Sequence, residues 1–304
     1  MKGDRVYDTP NALVLGVGCP SLGGQMKTGI GRYYIERYGL VEGAKRMKEH
    51  GYSFCDFPLA DTETEYYREG ADSFIEDARA ALESAGIKVF QIHGPWRFPK
   101  DATEEDRAER FDKMTRAMKL AKHLGAEYMA VHPLMPFGIC RDNPDELYRI
   151  NKEYYTALAR VAEGIGVTVC LENMPFVNFP MSTPSEIAAF IRDIDHPNLK
   201  MCFDTGHANC FPEPIGKSVR EIGADLIRIL HLHDNLGVDD THSVPYDGIV
   251  NWAEVIEALY DVGYDGVINL ECAPVSKKQY DELTDRQITA RELELAKIAA
   301  LFAY

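Results

Sequence analysis

No apolar run in these 304 residues approaches the ~20 needed to cross a bilayer, so a membrane-spanning protein is not expected. The opening stretch, MKGDRVYDTPNA, also lacks the apolar centre of a signal peptide. Cysteine is sparse and unpatterned. There are seven, an odd number, with no CxxC pair and no framework spacing. This argues against a thiolate zinc site and against a disulfide scaffold. Cys55, Cys170 and Cys202 lie in apolar stretches and read as reduced thiols, which points to the cytoplasm. Positive charge is short as well: 33 Lys and Arg against 48 Asp and Glu leave a net charge of −15. A polyanion such as nucleic acid is therefore not the expected partner. No GxGxxG follows the first apolar stretch, which weakens a dinucleotide-binding reading. Linkers and low-complexity segments are missing too, so residues 1–304 are read as one domain.

What is present is alternation. Apolar stretches at 13–17, 53–57, 88–92, 128–131, 168–171, 199–203, 226–232 and 267–270 read as strands. Between and after them, helical patterns fall at about 31–50, 66–85, 103–124, 143–164, 184–192, 215–222, 252–261 and 285–302. Gly86 and Gly125 stand where a helix stops, Thr103 and Asp106 have capping-box spacing, and Pro144 opens a helix at its first turn. Strict alternation implies parallel strands and right-handed crossovers. Eight units in a chain of this length predict a closed (β/α)8 TIM barrel, with a doubly wound sheet as the alternative.

In such a barrel the C-terminal ends of the strands form the active face. The pattern places His93, His132, Glu172, Asp204, His231 or His233, and Glu271 there. One charge at a strand end can be a salt bridge; six metal-ligand residue types at six ends point to a shared metal site. The segment CFDTGHANC, 202–210, is the richest: an apolar strand stops at Asp204, and His207 follows three residues later. By itself Asp-x-x-His is equally a helix cap beside a surface histidine. Glu172 in VTVCLENMP and Glu271 in GVINLECAP share a form, an apolar run, then Glu, then Pro. Lying on strands five and eight, they can face each other, ligate a metal and exchange protons with a substrate carbon. His231 and His233 have the same strand parity, and His231 is preferred as the ligand. Asp240 and His242 in the following loop are a further ligand pair, a substrate contact or a polar loop. Trp96, Phe98, Phe137, Phe176 and Phe179 fall in loops after strands three to five and could wall a sugar ring or aryl group. Arg97 and Lys100 are the nearest basic residues, but no phosphate cradle accompanies them.

The motifs IHGP (His93), VHP (His132), LEN (Glu172, Asn173), FDTGHAN (Asp204, His207), HLHDN (His231) and NLE (Glu271) resemble the xylose isomerase-like barrel superfamily over nearly the whole chain. That superfamily covers sugar-phosphate isomerases and epimerases and also type IV apurinic endonucleases. Similarity to its ketose 3-epimerases implies one divalent metal ion, Mn²⁺ foremost, with Mg²⁺, Co²⁺ or Zn²⁺ possible. The implied ligands are Glu172, Asp204, His231 and Glu271. His231 precedes Asp234 by three, as the family's metal histidine precedes an acidic residue. The resemblance implies that Glu172 and Glu271 form the acid/base pair and work through an enediolate. His207, together with His93, His132, His233, Asn173 and Trp96, is expected to bind a small sugar or sugar derivative. Two positions depart from the epimerases: no arginine follows His231 in DNLGVDDTH, and Asn178 stands where they carry a glutamate. Similarity to the endonucleases implies three zinc ions, held by His93, His132, Glu172, Asp204, His207, His231, Asp240, His242 and Glu271, and phosphodiester hydrolysis. A metal-dependent lyase or C-glycoside-cleaving enzyme on the same barrel is a third reading. A homo-oligomer is also expected.

Overall fold

The computed structural model describes residues 27–68, 70–96, 103–135, 143–276 and 279–303. Eight strands alternate with helices: β1 Lys27–Ile30, β2 Phe54–Phe57, β3 Lys88–His93, β4 Tyr128–Val131, β5 Thr168–Glu172, β6 Leu199–Asp204, β7 Ile227–His231 and β8 Val267–Leu270. Every named pair is parallel, in the order β7-β6-β5-β4-β3-β2-β1-β8. Just past the end of β7 the ring closes. Leu232 N–H donates to the Asn269 carbonyl at 3.0 Å, and Glu271 N–H to the Leu232 carbonyl at 3.0 Å. The fold is therefore a single-domain (β/α)8 TIM barrel, as the alternation predicted.

The helices are α1 Tyr33–Tyr38, α2 Leu40–Glu49, α3 Asp72–Ala85, α4 Glu104–Leu124, α5 Pro144–Ile165, α6 Pro184–Ile194, α7 Thr205–Asn209, α8 Ile215–Ile222, α9 Trp252–Asp261 and α10 Asp285–Phe302. Their starts follow local chemistry. Thr103 accepts from Asp106 N–H and Asp106 accepts from Thr103 N–H, both at 3.1 Å, so the capping box of α4 is formed. Asn143 caps α5 ahead of Pro144. Leu147, Ile150, Tyr154 and Leu158 of α5 are buried at helical spacing, which turns one stripe onto the sheet.

Three expectations need correction. The first strand of the barrel is Lys27–Ile30, not 13–17, which lies outside the described residues. The sequence KTGI reads as a loop because glycine and lysine are poor strand formers. Here glycine is required. A Cβ on Gly29 would lie 2.8 Å from Val267 Cγ1 and 3.0 Å from Asn269 Oδ1, so β1 and β8 approach only without a side chain. The helix expected over 31–50 is two helices, broken at Gly39, and the one expected from residue 66 starts at Asp72 after a short 3-10 turn, Glu65–Tyr67.

The strand period sets what faces the barrel axis. Cys170, Cys202 and Ile229 form a buried apolar cluster with Ala130. Two residues further along each of these strands stand Glu172, Asp204, His231 and His132. An apolar plug thus lies directly beneath a ring of ionisable groups.

Candidate metal and active site

The ring is tight. Single ligand atoms from Glu172, Asp204, His231 and Glu271 all lie within 4.8 Å of one another. His231 Nδ1 is 3.0 Å from Glu172 Oε1 and 2.9 Å from Glu271 Oε2. Burial disfavours a charged imidazole, but the Cys202 sulfur and the carboxylates of Glu271 and Glu172 outweigh it and raise its pKa well above the usual range. Burial likewise opposes charge on Glu172, and His231 and His132 reverse this and hold it well below the carboxylate range. His231 is fully buried, Asp204 also, and Glu172 is 1% exposed. Each buried ion costs several kcal/mol unless compensated. Glu172 Oε2 is buried with only the His132 and His93 imidazoles beside it, at 3.3 and 3.8 Å. Three carboxylates and one imidazole converging on one point fit a divalent cation.

A missed residue completes the ring. Asp56, inside β2 and 5% exposed, puts Oδ2 3.4 Å from His231 Nε2 and accepts from Gln91 Nε2 at 3.1 Å. The available signal was parity: Phe54 and Asp56 share a side, and a lone acid in FCDF must face something polar. A metal on His231 Nδ1 leaves the proton on Nε2, where Asp56 receives it and fixes the ring. Asp56→Ala is expected to weaken metal affinity about 10–100-fold. Competition with a chelating dye measures this, and an unchanged affinity refutes the role.

Beside this ring stand three more histidines tied to the backbone. His93, His207 and His242 each place Nδ1 on a backbone carbonyl, of Gly94 (2.8 Å), Asn173 (2.7 Å) and Glu271 (2.8 Å). Their Nε2 atoms are thereby turned inward. His93 Nε2 meets His132 Nε2 at 3.1 Å, and His132 Nε2 lies 3.3 Å from Glu172 Oε2. Burial, with His132 next to it, lowers His93 to about 4. His207 Nε2 and His242 Nε2 each lie 3.2 Å from Asp240 Oδ2. Burial opposes their charge, yet the neighbouring carboxylates raise both to about 10.

The loop carrying Asp240 and His242 folds back because Asp234 organises it. Its buried carboxylate accepts from the N–H groups of Asn235, Tyr246 and Val250 and from Trp252 Nε1 at 2.8 Å. The open question about Asp240 and His242 is thus narrowed: both line the cavity.

Asp204 turns out to be cap and site residue at once. Its Oδ1 accepts from His207 N–H at 2.6 Å, starting α7, and Oδ2 accepts from His233 Nε2 at 3.0 Å. His207 is not a surface histidine; it is 4% exposed. His93, Trp96, His132, Glu172, His207, Asp240, His242 and Glu271 all line one cavity of about 430 Å³. His233 and Asn173 are not among its lining residues. His233 is fully buried on Asp204, and Asn173 clamps the Asp204 backbone through two bonds of 2.9 Å. Phe176 joins Trp96 on the apolar wall, while Arg97, Phe98, Lys100 and Phe137 lie outside the described residues.

The His233 ring explains the glycine of FDTGHAN. It stacks on His242 at 4.2 Å, and a Cβ on Gly206 would fall 1.9 Å from its Cε1. Gly206→Ala is expected to cost at least ~1–3 kcal/mol by overpacking, seen as a lowered midpoint in thermal unfolding.

Residues 44–297 match the xylose isomerase-like TIM barrel family. The chain belongs to that family. D-psicose 3-epimerase of Ruminiclostridium cellulolyticum is 31% identical over 248 residues, covering 79% of this chain and 77% of that protein. The crystal structure of D-psicose 3-epimerase with D-tagatose from Clostridium cellulolyticum H10 superposes with a TM-score of 0.75 at 21% identity, over 91% of this chain and 99% of that one. The crystal structure of an IolI protein with a bound zinc atom superposes with a TM-score of 0.72 at 18% identity, over 91% of this chain and 98% of that one. Among the described residues, no helix is long and apolar enough to cross a membrane.

Proposed function

We propose that the protein is a divalent-metal-dependent sugar isomerase or epimerase that moves a proton on the carbon beside a carbonyl. The observation that carries this is the convergence of Glu172, Asp204, His231 and Glu271 within 4.8 Å. These four residues would hold the ion. Their oxygen-rich set suits Mn²⁺ best, with Mg²⁺, Co²⁺ and Zn²⁺ as alternatives. When bound, the ion supplies Lewis acidity to the substrate carbonyl. Glu172 and Glu271 then act as the acid/base pair, one removing the proton and the other returning it through an enediolate. Asp56 steadies His231, and His233 steadies Asp204. His207 holds substrate oxygens from the cavity wall, with His93, His132 and Trp96 around the ring. The substrate is a small sugar or sugar derivative.

The test is solvent deuterium incorporation into a panel of ketoses, with added Mn²⁺ and after chelation, combined with elemental analysis. Exchange that depends on the metal supports the reading; no exchange with any ketose counts against it.

A second reading is favoured by one observation, the inward Nε2 atoms of His93, His207 and His242 around Glu172 and Asp240. They give two further candidate cation groups, His93, His132, Glu172 and His207, His233, Asp240, His242. Three zinc ions per chain with incision of abasic DNA would establish a trinuclear hydrolase instead.

A further inference from the structure

A second cavity, of about 340 Å³, opens beside the first on the same barrel face. The two share Arg32, Ala60, Trp96, His242 and Glu271, so an occupant of the second borders the carboxylate assigned to proton transfer. Its own walls come from the β1–α1 junction, the loop after β2 and the segment after β8. Tyr33, Glu36, Asp61, Ala273 and Tyr280 are the residues that characterise it. Tyr33 is held rigidly, since its hydroxyl donates to the buried Glu292 of α10 at 3.0 Å.

We propose that this annex is a second sugar subsite, and that the substrate is a keto-sugar joined to a glycosyl residue rather than a free monosaccharide. The inference rests on the sugar isomerase reading above. Size supports it: each cavity alone reaches the ~300 Å³ from which ligand pockets begin, so the annex has room for a ring of its own. Chemistry supports it too. Arg32, Glu36 and Asp61 offer a guanidinium and two carboxylates, which bind neighbouring hydroxyls in pairs. Trp96, Tyr33 and Tyr280 offer ring faces and edges for the apolar C–H side of a pyranose. Charge narrows the class. Arg32 Nε already lies 3.3 Å from Glu36 Oε1, leaving Asp61 as excess negative charge. A phosphate or carboxylate substituent is repelled there, and an uncharged polyol is not.

The experiment compares D-fructose and D-psicose with 4-O-, 5-O- and 6-O-glucosyl-fructose, on the Mn²⁺-loaded full chain. Deuterium exchange gives kcat/KM, and calorimetry gives binding without requiring turnover. At least one disaccharide is expected to exceed fructose 10-fold in kcat/KM or in affinity. Asp61→Ala and Ala273→Trp are each expected to lower that ratio at least 10-fold. A ratio near one that neither variant moves overturns the annex. Fructosyl-lysine preferred over every disaccharide also overturns the glycosyl assignment. Absence of exchange with every ketose, alongside disaccharide binding that Ala273→Trp removes, keeps the annex and rejects the isomerase reading.

Discussion

Glu271→Gln and Glu172→Gln each lower turnover by about 10²–10⁴-fold, the range that a positioned acid or base contributes. The two side chains occupy different settings around the same imidazole. Glu172 is buried under His132 and His231, whereas Glu271 is partly open and borders both cavities. Glutamine keeps the shape and the acceptor oxygen but cannot take a proton. If the residues serve opposite faces of the substrate, the variants differ in kind as well as in rate. Each still exchanges deuterium slowly at the carbon face served by the remaining glutamate, while formation of the other epimer stops. The double variant loses little more than the worse single one, because residues acting as a unit are not additive. Metal content is measured on each variant, and rates are compared at saturating Mn²⁺, since both glutamates are also assigned as ligands. A Glu271→Gln variant that epimerises at the wild-type rate removes the two-base scheme.

His231→Ala carries the second large effect, and it is on stability. His231 is the imidazole shared by Glu172 at 3.0 Å, Glu271 at 2.9 Å and Asp56 at 3.4 Å, all in the barrel mouth. Deleting one partner of a buried charged set costs about 3–5 kcal/mol, because the others remain buried without it. In the metal-free protein this corresponds to a fall in Tm of roughly 5–8 °C for a chain of this size. Added Mn²⁺ raises the wild-type Tm by mass action, about 2.7 kcal/mol at one hundred times Kd. The variant shows no such rise. A His231→Ala protein that is as stable as wild type and still metal-responsive would exclude His231 as the central ligand.

Much of this site could be read from the chain. The ends of the apolar runs put His93, His132, Glu172, Asp204, His231 or His233, and Glu271 at the C-terminal face of the barrel, and the structure gathers Glu172, Asp204, His231 and Glu271 within 4.8 Å. β4 and β8 have the expected bounds because YMAV and VINL are apolar and flanked by turn signals. What was hidden depended on contacts between distant segments. β1 was missed because Gly29 is chosen by the closeness of β8, not by strand propensity. Asp56 was missed because an acid within a four-residue strand gives no local sign of the imidazole it faces. His231 and His233 share a strand parity, but parity cannot tell a ring held between Glu172 and Glu271 from one lodged between Gly206 and His242. The fold-back of Asp240 and His242 was illegible because it hangs on the burial of Asp234.

The contact between Gly206 and His233 constrains how this sequence can change over time. Position 206 accepts no side chain while His233 is present, since the ring already fills the place of a Cβ. A smaller residue at 233 relieves that restriction. The two positions are therefore epistatic. Descendants can reach an alanine at 206 by first shrinking 233, and the reverse order passes through a strained protein.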